Sequence, residues 1–134
     1  MKTGRVIQTT GAVHSIECDA DIYSCVIKGK LRLKGYRSTN PLSVGDIVDF
    51  EETENFLGLI NKIHIRKNCI VRKSTNLSKE THVIASNIDQ LIIMFTLQKP
   101  ETTTIFLDRL LIAAESYSIP CIILINKTDL YNSD

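Results

Sequence analysis

The sequence predicts a small closed β-barrel of about five strands, followed by one β-α-β unit of an incomplete α/β domain. In the first 70 residues, short segments of alternating apolar and polar residues lie between turn-forming Gly, Asp and Pro residues. Beyond residue 83 the pattern changes to continuous apolar runs on either side of a segment with helical periodicity. A length of 134 residues with 43% hydrophobic content suits one ordinary domain or two small ones.

The barrel is expected to occupy residues 1–71. Its strands are indicated by alternation and by β-branched and aromatic residues, at 5–9, 12–16, 22–27, a short 31–33, 47–51 and 57–65. Glycines stand at the corners between several of these segments. This pattern is typical of an OB-fold barrel, and an SH3-like barrel fits the pattern alone as well.

The second part is expected at residues 83–134, behind a polar linker at 72–82. Its first strand is the apolar run 90–97, which is typical of a strand buried on both faces of a parallel sheet. Threonines at 102–104 offer N-cap hydroxyls to a helix predicted over 105–117, with apolar positions 106, 107, 110, 111, 114 and 117 on one side. Pro120 opens the second strand, which gives a β-α-β unit with parallel strands.

Charge separates the two parts of the chain. Residues 1–79 hold 13 Lys and Arg against 8 Asp and Glu, whereas residues 80–134 hold 3 against 7. Cations at every second position from Lys28 to Lys34 would share one face of a strand, where they could follow a phosphate backbone or form an ordinary solvated face. Tyr36 could stack on a base or be an ordinary half-buried tyrosine. The predicted RNA-contacting residues are Lys28, Lys30, Arg32, Lys34, Tyr36, Arg37, Arg66, Lys67, Arg72 and Lys73.

The cysteine, histidine and hydropathy patterns argue against several classes of protein, namely metal-binding, disulfide-rich, membrane-spanning and secreted ones. The four cysteines form no Cys-x-x-Cys pair and the three histidines are scattered, so neither a metal site nor a disulfide framework is predicted. No apolar stretch is long enough to span a bilayer, and the first residues do not form a signal peptide. A cytoplasmic chain without membrane contact is therefore expected.

The tetrapeptide from Asn126 to Asp129 directly follows the apolar run 120–125. It falls beyond the carboxyl end of a predicted strand, where open α/β sheets bind ligands. The Asp129 carboxylate could accept two hydrogen bonds from the N1 proton and the 2-amino group of guanine, a donor pair that adenine lacks. Asn126 would hold the loop, the Lys127 stem would lie along the purine face, and Thr128 is the variable position. The alternative is a simple polar turn.

The order of motifs along the whole chain resembles the circularly permuted GTPases that act on the bacterial small ribosomal subunit, the RsgA/YjeQ type. These motifs are Lys28-Gly-Lys-Leu-Arg32, Val44-Gly-Asp46, Arg66-Lys-Asn68, Arg72-Lys-Ser74, Ile84-Ala-Ser-Asn-Ile-Asp-Gln90, Leu107-Asp-Arg-Leu110 with Ala114-Glu115, and Asn126-Lys-Thr-Asp-Leu130. The resemblance implies an OB-fold barrel that binds ribosomal RNA, a P-loop GTPase domain and a zinc-binding domain, which together assist late maturation of the small subunit. It also implies GTP with Mg²⁺, and a structural zinc, in the full-length family.

The sequence departs from that family because it contains no Gly-x-x-x-x-Gly-Lys-Ser/Thr phosphate loop. The chain is therefore expected to be the N-terminal portion of a longer GTPase, with no catalytic residue, no metal ligand and no bound cofactor of its own, and inactive alone. A truncated sheet leaves strand edges through which copies could self-associate. The alternative function is a non-catalytic OB-fold RNA-binding module whose C-terminal segment makes protein contacts.

Overall fold

A computed structural model describes residues 1–29, 41–53, 57–73 and 81–130. The chain divides into two compact units, Met1–Asn87 and Ile88–Asp134. The short strand predicted at 31–33 lies outside the described residues.

The first unit contains a closed five-stranded barrel. Its strands are β1 (Lys2–Thr10), β2 (Val13–Cys18), β3 (Asp21–Ile27), β4 (Ile47–Glu52) and β5 (Gly58–Ile63). They follow the order β1-β2-β3-β5-β4, and β4 pairs back to β1 to close the barrel. Only the β3–β5 pair is parallel among these neighbours. The OB-fold barrel predicted from the strand pattern is confirmed.

Apolar side chains from all five strands fill the barrel. The residues with no solvent exposure include Val6, Ile16, Cys25, Val48, Phe50 and Ile60. The chain needs a glycine at position 58, because a Cβ there would stand 2.3 Å from the Cys25 Sγ atom. Burial raises the pKa of the Cys25 thiol to about 11, so this thiol is neutral at physiological pH and serves as packing.

A β-hairpin extends the first unit beyond the barrel. Strands β6 (Cys69–Lys73) and β7 (Thr81–Ser86) pair antiparallel, with Cys69 opposite Ser86 and Arg72 opposite His82. The predicted linker at 72–82 therefore begins and ends in strands, and the division between the units comes after Asn87. Strand β7 belongs to the first unit because it contacts a loop about 40 residues earlier in the chain. There Val44 bridges to Ala85, and the Val44 carbonyl accepts a hydrogen bond from the Ser86 amide at 2.9 Å.

The second unit is a β-α-β unit, as predicted. Its elements are β8 (Leu91–Phe95), α1 (Thr104–Ser116) and β9 (Cys121–Ile125), followed by a 3-10 helix at Thr128–Leu130. The two strands run parallel and in register from Leu91 opposite Cys121 to Phe95 opposite Ile125. Thr103 caps the helix, with its hydroxyl accepting from the Phe106 amide at 3.3 Å. No helix among the described residues has the length and apolar character needed to cross a membrane.

Burial in the second unit is one-sided. In β8, Ile93 and Phe95 are buried, whereas Ile92 and Met94 are 61% and 59% exposed. The prediction that this run is buried on both faces is therefore wrong for the described chain. The four aliphatic side chains from Ile122 to Ile125 are also about half exposed. On α1, Ala114 is buried and Phe106 is exposed, and Tyr117, which the prediction placed on the same apolar side, is the exposed C-cap residue.

Candidate functional site

The Asn126 to Asp129 loop begins where β9 ends. The Asn126 amide donates to the Phe95 carbonyl at 2.9 Å, which extends the β8–β9 ladder by one residue. The Asn126 Oδ1 atom accepts from the Lys127 amide at 2.8 Å, and its Nδ2 atom lies 3.5 Å from the Met94 sulfur. Both the main chain and the side chain of Asn126 thus fix the start of the loop.

The loop turns sharply at Lys127. This residue has φ +56°, in the left-handed region that costs a non-glycine residue about 1–2 kcal/mol. The Lys127 carbonyl accepts from the Leu130 amide at 3.1 Å, which closes the 3-10 turn that contains Asp129. The side chain of Asp129 is exposed at this edge of the sheet, as is that of Thr128. The carboxylate is therefore accessible to a ligand.

A second loop follows β8 and contacts the first. The Lys127 Nζ atom donates a hydrogen bond to the Lys99 carbonyl. The Thr96 hydroxyl donates to the Pro100 carbonyl at 2.7 Å and lies 3.0 Å from the Thr102 hydroxyl. The Thr102 amide donates to the Thr96 carbonyl at 2.8 Å. The sequence did not predict this loop contact, because the acceptor for Lys127 is a backbone carbonyl, which every residue type has.

The predicted RNA-contacting cations are only partly within the described residues. Lys28, Lys67 and Arg72 are exposed, and the Lys28 amide joins the barrel by donating to the Ile60 carbonyl at 3.1 Å. Lys73 ends strand β6. The other members of the predicted set lie outside the described residues, namely Lys30, Arg32, Lys34, Tyr36 and Arg37. The RNA contacts of this set stay predictions.

Arg66, another of the predicted RNA-contacting cations, is paired with a buried carboxylate. Its Nε and Nη2 atoms donate to the two oxygens of Asp46, each at 2.7 Å, and Nη2 also donates to the Pro41 carbonyl at 3.1 Å. Asp46 is fully buried and the Arg66 side chain is 24% exposed. The structure therefore gives Arg66 a structural role, which charge counting along the sequence did not reveal.

Asp46 is the centre of a clasp between the barrel and the hairpin, formed by Ser43, Gly45, Asp46, Arg66 and Ser86. Asp46 accepts hydrogen bonds from the Ser86 hydroxyl at 2.5 Å and from the Ser43 amide at 2.9 Å. Gly45 has φ +92°, and a Cβ there would stand 1.9 Å from the Ser86 carbonyl oxygen. The clasp thus requires glycine at this position.

A second carboxylate on the barrel is held by three neighbours. The Asp49 Oδ1 atom lies 2.8 Å from His64 Nε2 and accepts from the Thr3 hydroxyl at 2.7 Å, while Lys62 Nζ lies 4.0 Å from Oδ2. The His64 and Thr3 hydrogen bonds lower the pKa of Asp49. Within the described ranges, no group of three or more His, Cys, Asp or Glu side chains could hold a metal ion.

The fold and the loop define a class of protein, in which an OB-fold barrel precedes a GTPase-type α/β unit that carries the Asn126 to Asp129 loop. The RsgA N-terminal domain family matches residues 3–60, and the RsgA GTPase family matches residues 63–134. The chain belongs to the RsgA GTPase family.

Relatives and solved structures support this assignment. The small ribosomal subunit biogenesis GTPase RsgA of Flavobacterium johnsoniae is 51% identical over 134 residues, which cover 97% of this chain and 41% of the relative. The protein of the same description from Christiangramia forsetii is 49% identical over 133 residues, covering 96% and 42%. The crystal structure of YjeQ from Thermotoga maritima matches with a TM-score of 0.73 and 28% identity, covering 99% of this chain and 44% of that one. The crystal structure of YloQ, a circularly permuted GTPase, matches with a TM-score of 0.70 and 26% identity, covering 99% of this chain and 43% of that one. The chain spans about two fifths of the length of these curated relatives.

Proposed function

We propose that this chain is the N-terminal portion of a GTPase that binds the small ribosomal subunit and assists its late maturation. In this proposal the barrel contacts ribosomal RNA and the loop from Asn126 to Asp129 reads guanine. The observation that carries it is the position of this loop at the carboxyl end of β9, in a fold shared with the RsgA family. The relatives named for small-subunit biogenesis support the ribosomal part.

Guanine would be selected through Asp129. Its exposed carboxylate can accept from the N1 proton and the 2-amino group of the base, a bidentate and charge-assisted pair. Adenine would leave the same carboxylate without these donors, and unpaired polar groups make such sites selective. Asn126, which is tied to the β8–β9 ladder, would keep Asp129 in place, while Lys127 would cover one face of the purine.

Affinity and hydrolysis would depend on phosphate contacts. Phosphate loops supply backbone amides, a lysine and the hydroxyl that binds Mg²⁺, and this sequence contains no such loop motif. We expect the chain by itself to bind guanine nucleotides weakly and not to hydrolyse GTP. In the complete protein we expect Mg²⁺ to accompany GTP, and a structural zinc. A cytoplasmic location follows from the ribosomal partner.

The barrel surface would contact RNA mainly through phosphates. Lys28, Lys67 and Arg72 present exposed cations on the described part of the first unit. Each phosphate neutralised by such a cation makes binding more sensitive to salt, so affinity should fall steeply as the salt concentration rises.

The test is a titration of the chain against isolated small ribosomal subunits at low and raised salt, with large subunits as the control. We expect salt-sensitive binding to the small subunit, weakened in a Lys67→Ala/Arg72→Ala variant. Arg109→Ala, which removes an exposed cation from α1, should leave binding unchanged. Equal binding to both subunits, or equal loss in both variants, would reject the barrel as the RNA-contacting surface.

A further inference from the structure

We propose that the loop between β8 and α1 positions Lys127 for guanine binding. We call this loop, at residues 96–103, the lysine seat; Thr96, Lys99, Pro100 and Thr102 form its hydrogen-bonded part. The inference rests on the proposed guanine-reading role of the Asn126 to Asp129 loop. It assigns a positioning function to residues outside the tetrapeptide.

The first support is the contact between the two loops. A lysine ammonium has three donors and normally keeps them in water at a surface. Lys127 instead donates to the Lys99 carbonyl and is half-buried, although Asn126 and Thr128 on either side are exposed. The side chain is thus directed across the carboxyl edge of the sheet, towards the loop that follows β8.

The second support is the internal order of the seat. Thr96 is only 9% exposed, and its hydroxyl donates to the Pro100 carbonyl at 2.7 Å. The Thr102 hydroxyl accepts from the Thr96 amide at 3.3 Å and lies 3.0 Å from the Thr96 hydroxyl. These contacts bracket Lys99 and fix the direction of its carbonyl. Two threonine hydroxyls thereby act on a lysine 25 or more residues away in sequence.

Backbone conformation at both ends of the contact is the third support. Lys99 has φ +52° and Lys127 has φ +56°, and both lie in the left-handed region that lysine rarely adopts. Such conformations persist when the surrounding structure determines them, and they concentrate at ligand sites. Here both residues follow the carboxyl ends of parallel strands, where α/β sheets bind ligands.

Preordering Lys127 would strengthen guanine binding. A free lysine side chain has many rotamers, and a ligand that orders it must offset the lost entropy. When the seat holds the amine at the Lys99 carbonyl, the side chain has fewer rotamers to lose, so less entropy is lost on binding. We expect loss of the seat to weaken guanine binding roughly threefold to tenfold.

The first experiment measures the seat without nucleotide, from the acylation rate of each lysine amine by mass spectrometry. In Thr96→Val/Thr102→Val, acylation of Lys127 should rise severalfold relative to Lys67, and Thr96→Ser/Thr102→Ser should restore the wild-type rate. Thr104→Val, at an exposed threonine of α1, is the matched control. Thr102→Val alone serves if the change at buried Thr96 prevents folding. An unchanged Lys127 rate in the folded valine variants would overturn the seat.

The second experiment measures guanosine monophosphate binding by NMR titration at millimolar concentration, with adenosine monophosphate as the control. Thr102→Val should weaken guanosine monophosphate binding in the otherwise wild-type chain and have no effect in a Lys127→Ala background. A structural role alone would weaken both equally and would overturn positioning through Lys127. If the wild-type chain prefers neither nucleotide, the proposed guanine-reading function is rejected, whereas the acylation rates still decide whether the seat exists.

Discussion

Arg66 forms a two-point ion pair with Asp46, in which Nε and Nη2 each lie 2.7 Å from a different carboxylate oxygen. The two residues flank strands β4 and β5, so their pairing ties the entrance of one strand to the exit of the other. Asp46 is fully buried, and a buried carboxylate is tolerated only with such donors. The pair also brings the chain into position for the β6–β7 hairpin.

Removing the arginine should therefore destabilise the first unit. In Arg66→Ala, Asp46 stays buried but loses its charged partner, and we expect the free energy of unfolding to fall by about 3 kcal/mol. Arg72→Ala makes the same substitution at an exposed position and should change the free energy of unfolding by no more than about 0.5 kcal/mol. Urea denaturation followed by circular dichroism measures both. Similar losses in the two variants would contradict the structural role of Arg66.

Gly45 offers a sharper test of the clasp. In Gly45→Ala the new Cβ would collide with the Ser86 carbonyl, and the residue would also have to hold φ +92°. We expect a loss of at least about 3 kcal/mol, a large part of the stability of a small unit. Gly11→Ala is the control, because Gly11 also has positive φ but its Cβ would meet open space. Gly11→Ala should lower the free energy of unfolding by about 1 kcal/mol. Thermal unfolding of both variants then separates the cost of the steric collision from the cost of positive φ.

Asp49 should make stability depend on acid pH. Its folded-state pKa lies below the usual 3.8, first through the His64 hydrogen bond and then through Thr3. A lowered pKa stabilises the fold above the unfolded value, and this contribution disappears as the pH falls through 3.8 towards the folded-state pKa. Asp49→Asn should thus be less stable at neutral pH and lose less stability between about pH 5 and about pH 3. Urea denaturation at several pH values tests this, with Asp21→Asn at an exposed position as the control. If the free energy of unfolding of Asp49→Asn falls with pH as steeply as that of the wild type, the prediction is wrong.

The unit boundary after Asn87 predicts which shortened chain folds. Residues 1–87 include β7 and the Ser86 donor to Asp46, so they should unfold in one cooperative transition. Residues 1–71 lack both and should be markedly less stable. Denaturation of the two shortened chains provides the measurement, and equal stability would mean that the hairpin adds nothing to the barrel.

The guanine assignment predicts a change of base preference. In Asp129→Asn the side chain gains donors in place of an anionic oxygen, so guanine nucleotides should bind at least about tenfold more weakly and xanthine nucleotides should improve. The comparison is made in a complete family member with the corresponding substitution, and Thr128→Ala serves as the neighbouring control. Unchanged guanine binding would remove Asp129 from the site.

The sequence contained enough information for the elements whose partners are near in the chain. The β-α-β unit follows from two apolar runs and one helical segment, and threonines mark the start of the helix, where Thr103 is the cap. The hairpin escaped prediction because β7 is ordered by the loop at Val44, about 40 residues earlier. The β-strand propensity of residues 72–82 does not reveal a partner so distant in the sequence.

The same limit applies to the sites. The Asn126 to Asp129 motif could be recognised from its residue types and from its position directly after the apolar segment that forms β9. Arg66 was grouped with RNA-contacting cations because charge alone does not reveal that Asp46 lies within hydrogen-bond distance. The lysine seat was missed because it presents a carbonyl, which every residue possesses.

The pairing of β1 with β4 has a consequence for how the protein is made. Lys2 lies opposite Phe50, so the second edge of β1 is covered only when β4, which ends at Glu52, is available. At about 5–20 residues per second, a ribosome needs roughly 3 to 10 s to make this stretch. During that interval the outer edge of β1 is open, and the cations Lys2 and Arg5 on it disfavour premature pairing with another strand. The nascent chain thus has a window of seconds in which its first strand has only β2 as a native partner.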